Sequence, residues 1–163
     1  MVRGDPDVIR ARAGTFESPV GEVLGVASEH DSSAGTQRGP NTIFCFTLDG
    51  VRCCHLGDFG QSGLRAEQRE AIGDIDVLFI PVGGGPTIDG GHAAEVVAQL
   101  GPRVVVPMHY ATEAVDFLEG PDDFLETVSA DVERPGSNEI DVGEVNGSRE
   151  TPRVVMLDPP PLG

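Results

Sequence analysis

The sequence predicts a single-domain α/β fold, and three observations carry that expectation. First, two β-rich runs at 42–48 and 51–56 flank Asp49-Gly50, a pair suited to the positive backbone angles of a two-residue hairpin turn. Second, an apolar run at 75–81, a helical stretch at 93–100 and another apolar run at 104–106 follow in strand–helix–strand order. Such an order implies a parallel crossover with its helix on one face of the sheet. Third, three β-type runs end on side chains that bind metals: 22–30 on His30, 51–58 on Asp58 and 104–109 on His109. The carboxyl ends of buried strands are where α/β proteins collect ligands, because loops there aim polar groups into one crevice without disturbing the core.

In chain order, residues 1–20 give an awkward signal, with strand character at Val8-Ile9-Arg10 just after the start. The run 22–30 and the hairpin follow, and 64–72 then carries good helix formers. The run 75–81 is bounded by acidic residues and by Gly83-Gly84-Gly85, which marks a buried strand. The strand at 104–106 is stopped by Pro107. Behind Gly120-Pro121, the helical spacing of Phe124, Leu125 and Val128 predicts a helix over 122–129. The stretch 136–150 is polar and glycine-bearing, with a short β-type patch around Ile140 and Val142, and 154–157 reads as a last strand before a proline-rich end. No internal repeat or linker divides the chain, so 1–163 is one domain. A domain of that length buries roughly two thirds of the surface its unfolded form exposes.

Acidic residues number 27 against 11 basic ones, all arginine, for a formal charge of -16 and a pI near 4.3. Such a surface repels phosphate backbones and anionic membranes, which argues against nucleic-acid and membrane partners. Adaptation to molar salt or a surface for cations and basic partners would produce this balance; charge scattered from Asp5 to Asp158 favours a halophilic source. Cys45, Cys53 and Cys54 are odd in number, and the adjacent pair points to opposite faces of a strand, which favours reduced, buried thiols. No charged segment precedes an apolar one at the start, and no apolar run approaches bilayer-spanning length, so the expectation is a cytoplasmic protein.

Six short motifs occur in order: Ser28-Glu29-His30-Asp31, Arg38-Gly39-Pro40-Asn41-Thr42, His55-Leu56-Gly57-Asp58, Pro81-Val82-Gly83-Gly84, Thr87-Ile88-Asp89 and Pro107-Met108-His109-Tyr110. Together they resemble the metallo-β-lactamase fold superfamily over nearly the whole chain. The likeness is to its uncharacterised Zn-dependent hydrolase branch, related to the L-ascorbate-6-phosphate lactonase-like proteins. The resemblance implies an αββα sandwich of two βα lobes, with a dinuclear zinc site along the edge where strand-end loops of both lobes meet. It implies that His30 is the lone metal histidine after the first lobe, Asp58 the carboxylate that bridges two metals and so takes the catalytic role, and His109 the last metal histidine. Zinc is the expected cofactor, with manganese as the alternative.

The family's His-x-His-x-Asp-His loop has no counterpart here, and 4–10 resembles family sequence that follows that loop. The resemblance therefore implies an N-terminally truncated member, a partial sandwich made of the C-terminal lobe and the joining strands. One face of its sheet would lie open to a partner or to aggregation. Gln61 stands where relatives often carry a histidine. Hydrolytic zinc needs about three protein ligands and an open position. The missing ligands would have to come from an upstream lobe or from a second copy in a homo-oligomer. So completed, the centre would direct a metal-bound hydroxide at an ester, lactone, amide or phosphoester in a small-molecule substrate. The alternative is a catalytically inactive remnant that works as a binding or assembly module.

Each candidate also has a plainer reading. Asp58 would cap the turn that follows its strand, bonding amides near Gly60, and His109 would be a satisfied histidine after a proline. His55 is expected to support the site or pack, His92 to lie exposed at a helix start, and Asp89 to N-cap that helix rather than line the site. The triple glycine suits a tight structural turn better than an anion loop, since no lysine follows it. Cys54 reads as an inert buried thiol, and Arg38 and Asn41 are expected to fix the loop after His30.

Overall fold

The computed structural model describes residues 13–141, 145 and 148–159. Eight strands form one mixed sheet: β1 (Gly14–Ser18), β2 (Gly21–Glu29), β3 (Pro40–Leu48), β4 (Val51–His55), β5 (Val77–Pro81), β6 (Val104–Met108), β7 (Asp131–Glu133) and β8 (Arg153–Val155). Their spatial order is β1-β2-β3-β4-β5-β6-β8-β7. β1 to β4 are antiparallel neighbours, whereas β4, β5, β6, β8 and β7 pair in parallel. Among the described residues three helices accompany the sheet: α1 (Ala66–Ile72), α2 (Gly90–Leu100) and α3 (Asp122–Thr127).

The β3–β4 hairpin forms as expected, with Asp49 at φ 48° and Gly50 at φ 84°, the two positive angles its turn requires. The crossover β5–α2–β6 is parallel as expected. β6 does not stop at Pro107 but runs on to Met108. The reason is directional: the Met108 carbonyl faces the β5 side, where it accepts from the Val82 amide, so the Pro107 nitrogen faces β8. Pairing with β8 has already ended at Val105, and no ladder bond is lost. β1 and β7 go beyond what the sequence suggested. The stretch Val8-Ile9-Arg10 lies outside the described residues, as does Val142. Ile140 forms no strand and instead packs, partly buried, against the cluster of Cys53, Val77, Val104, Val106 and Val155.

Side-chain alternation gives the sheet two unlike faces. Ile43, Cys45, Cys54, Leu78, Ile80, Val105 and Val154 share one buried cluster with Ile72 of α1, Val96 of α2 and Phe124 of α3, so all three helices cover the same face. Cys53, Val77, Val104, Val106 and Val155 point the other way, with Phe46, Phe79 and Val51 against them. Among the described residues no helix covers that second face, and Val23, Phe44, Phe46 and His55 line a shallow apolar depression of about 400 Å³ on it. The described residues thus form one helix-backed mixed sheet, the α/β architecture that the motifs implied.

Candidate metal centre

β2 is antiparallel to β3, and β3 to β4, after which β4, β5 and β6 are parallel. β2, β4 and β6 therefore run the same way, and their carboxyl ends share one edge of the sheet. β2 ends at Glu29, β4 at His55 and β6 at Met108, so His30, Asp58 and His109 all project from that edge. One strand separates β2 from β4 and another separates β4 from β6. Asp58 accordingly sits between the two histidines.

The carboxylate divides its oxygens between them. His30 Nε2 lies 3.8 Å from Asp58 Oδ2, and His109 Nε2 lies 3.9 Å from Asp58 Oδ1. Both gaps exceed a hydrogen bond. Both are slightly shorter than two metal–ligand bonds of about 2.0–2.2 Å laid end to end, so an ion fits in each at a wide angle. His30 Nε2, the nitrogen that faces Asp58, is buried without a hydrogen-bond partner, whereas the unpaired nitrogen of His109 is Nδ1 and not the Nε2 that faces the carboxylate. Buried ring nitrogens left unpaired are costly unless something binds them. The residues present therefore fit a metal, with a limit: among the described residues no group of three or more His, Cys, Asp or Glu side chains is arranged to hold an ion. Each gap is flanked by two candidate protein ligands.

Glycines permit the close approach of these loops. A Cβ on Gly60 would sit 2.5 Å from the His30 carbonyl carbon, and one on Gly83 would sit 2.3 Å from the His109 carbonyl oxygen. His109 itself is held at φ 52°, a left-handed angle seldom adopted by a side-chain-bearing residue. The Gly83 amide donating to the His109 carbonyl at 3.1 Å helps hold it there. The Gly60 amide is bonded to the Glu29 carbonyl at 3.0 Å, so it is not the group that a turn-capping Asp58 would use.

The loop after His30 is closed by Asp31, whose buried carboxylate accepts the amides of Ser33, Gly35, Gln37 and Arg38. The Arg38 amide does most to hold the Asp31 carboxyl below the ordinary range; burial works against it, and the other three amides assist. The sequence carried a signal for this, since aspartate followed by serines and glycine is the composition of an Asx turn. Arg38 contributes its backbone rather than its side chain, and the Asn41 side chain turns instead toward the Asp58 turn. Gln61 is buried and exchanges hydrogen bonds with Gln68 of α1, while its Oε1 accepts the Glu29 amide, so it ties β2 to that helix.

His55 stacks on Phe79, and its Nδ1 accepts the Gly57 amide at 3.0 Å, a supporting position beside Asp58. Asp89 caps α2 by accepting the His92 amide at 2.8 Å and holds the His92 ring at 2.7 Å, with both side chains about half exposed. The Gly83 and Gly84 amides are spent on the His109 and Ile88 carbonyls, which removes them from any anion loop. Cys54 is fully buried; a hydrogen bond with Cys45, then burial, pushes its thiol pKa well up, as befits an inert thiol. Two polar clefts open nearby, one of about 440 Å³ bounded by Glu29, Asp31 and Arg65, and one of about 350 Å³ bounded by Gly60, Thr87 and His92. Neither is lined by His30, Asp58 or His109.

A sheet whose strand ends gather two histidines around one carboxylate defines an α/β protein with a metal-type site. Residues 2–109 match the β-lactamase superfamily domain, and the chain belongs to that family. All three expected ligands fall inside the match, which ends on His109. A Thermotoga maritima member of the metallo-β-lactamase superfamily superposes with a TM-score of 0.73 at 37% identity, over 90% of this chain and 70% of that one. A UPF0173 metal-dependent hydrolase of Thermococcus kodakarensis is 41% identical over 91 residues, which is 55% of this chain and 41% of its own length. Another from Thermococcus onnurineus is 34% identical over 115 residues, 69% of this chain and 51% of its own. The chain spans about half the length of the curated relatives it matches.

Proposed function

We propose that this chain is the metal-holding part of a metal-dependent hydrolase acting on a small molecule. The observation that carries the reading is the Asp58 carboxylate with one imidazole facing each oxygen. In this reading His30 and His109 would each hold an ion, with Asp58 between them as the shared carboxylate. Two imidazoles and a carboxylate suit zinc, with manganese next. What such an ion supplies is Lewis acidity, enough to bring the pKa of bound water to about 7. The chain's own residues fix the geometry: the Asp31 loop and Gly60 hold His30, and Gly83 holds His109. Asp58 is half exposed, which leaves its outer side open to a substrate. Relatives named metal-dependent hydrolases support the class. Esters, lactones, amides and phosphoesters are the bonds this chemistry reaches, and the motif likeness to lactonase-like proteins makes lactones the first to assay. The charge of -16 tells against nucleic-acid substrates.

A second reading is a non-catalytic binding or assembly module, favoured by the supply of only two described protein ligands to each gap. In the first reading a further segment or a second copy supplies the rest. Elemental analysis of gel-filtered protein, wild type beside Asp58→Ala and His109→Ala, separates the two. The hydrolase reading expects about one or more tightly held ions per chain, lost in both variants, with lactone or ester turnover falling by more than the roughly 10–100-fold typical of outer-shell changes. Folded protein whose metal content is nil, or is unchanged by either substitution, points to the module.

A further inference from the structure

β4 leaves the β3 ladder at His55: the last pair is Phe44↔His55, and the next amide, of Leu56, turns to Phe79 of β5. The turn carrying Asp58 therefore has no backbone pairing to β3. A side chain replaces it. Asn41 Nδ2 donates to the Leu56 carbonyl at 2.8 Å and to Ser28 Oγ at 2.8 Å, and its Oδ1 accepts the Asp58 amide at 3.1 Å. One primary amide thus bonds on both sides of Gly57, much as a peptide group of a neighbouring strand would, and also reaches β2 two residues before His30. Gly57 completes the fit, since it stands at φ 61° and a Cβ there would lie 2.6 Å from Asn41 Oδ1. Leu56 and Ser28 are buried, so water does not readily replace the amide as partner.

We infer that Asn41 is a positioning residue for Asp58, fixing the carboxylate at the spacing that lets its two oxygens face His30 and His109. The inference rests on the metal-centre reading above. In this role Asn41 acts through the backbone on both sides of Gly57. Outer groups of this kind typically set metal affinity over about 10–100-fold.

The test uses cobalt(II) as the probe, titrated into metal-free wild type, Asn41→Ala, Ser28→Ala and Asp58→Ala, together with amide hydrogen exchange at Asp58. Expected for Asn41→Ala are faster Asp58 exchange, cobalt affinity weaker by about 10-fold or more, and a changed visible cobalt spectrum. Ser28→Ala, which leaves both bonds around Gly57 intact, should retain the wild-type spectrum. Asn41→Ser, too short to span Leu56 and Asp58, carries the same expectation as the alanine variant if that one fails to fold. Wild-type exchange, affinity and spectrum in the Asn41 variants overturn the inference while cobalt lost in Asp58→Ala preserves the metal centre. Cobalt binding that Asp58→Ala does not alter overturns the metal centre, and the inference with it.

Discussion

The Gly57 amide reaches His55 at Nδ1, so that nitrogen is the unprotonated one and the ring is neutral. Burial pushes the His55 pKa below its ordinary value, and the charge of Asp58 opposes this without cancelling it. The sign follows. With the folded pKa below the unfolded value of about 6.5, the unfolded chain binds more protons between the two, so stability is complete above about pH 6.5 and falls as pH drops through the folded pKa. Protonation at Nδ1 also costs the Gly57 bond. His55→Phe, which keeps the stacking on Phe79, should flatten this part of a urea-unfolding profile taken across mildly acidic pH. A variant profile parallel to that of wild type would remove His55 as the source. Residues of this kind were half legible beforehand: a histidine three positions before a strand-end aspartate suggests support. The particular bond depends on a turn whose geometry only tertiary structure supplies.

Helix α2 meets α3 where Gly90 lies against the α3 backbone; a Cβ there would come within 2.3 Å of the Phe124 amide nitrogen. Phe124, fully buried, anchors α3 to the shared core. Gly90→Ala must push α3 outward and should cost about 1–3 kcal/mol, and Phe124→Ala about 3–5 kcal/mol, both read from chemical unfolding midpoints. An unchanged midpoint in Gly90→Ala would mean that α3 adjusts freely. The elements with strong local signals were readable: the hairpin from Asp49-Gly50, the crossover from its apolar runs and glycines, α3 from Phe124, Leu125 and Val128. β7 was not, because Asp131–Glu133 is exposed throughout and exists as a strand only through its pairing with β8. Pro107 misled for a similar reason, since a proline stops a strand only on a side where a partner needs its amide.

The whole molecule carries far more negative charge than its ion pairs offset. Arg65 meets Glu29 and Glu67, Arg103 and Arg149 meet Asp76, and Arg153 meets Glu133, yet the formal charge remains -16. Exposed pairs contribute about 0–1 kcal/mol each, so what salt screens away is mainly self-repulsion. Thermal midpoints should therefore rise with potassium chloride, by about 2–4 °C for each kcal/mol of repulsion relieved in a domain of this size. A midpoint that falls with added salt would reverse this account. At this scale the meeting of His30, Asp58 and His109 at one sheet edge was legible because strand ends are legible: three runs closing on these residues needed only the direction of β2, β4 and β6 to bring them together.

The order of the last strands governs how the protein is made. β8 lies between β6 and β7 although it follows both in the chain, and among the described residues β7 has no other neighbour. A ribosome therefore releases His30, Asp58 and His109 while the sheet still ends at β6, with Val104 and Val105 awaiting a strand to pair with. Only when residues 153–155 emerge do two strands join the edge together. A message that stops early anywhere between Tyr110 and Arg153 would yield a polypeptide with His30, Asp58 and His109 all present and an unfinished, sticky margin, a species for chaperones and proteases.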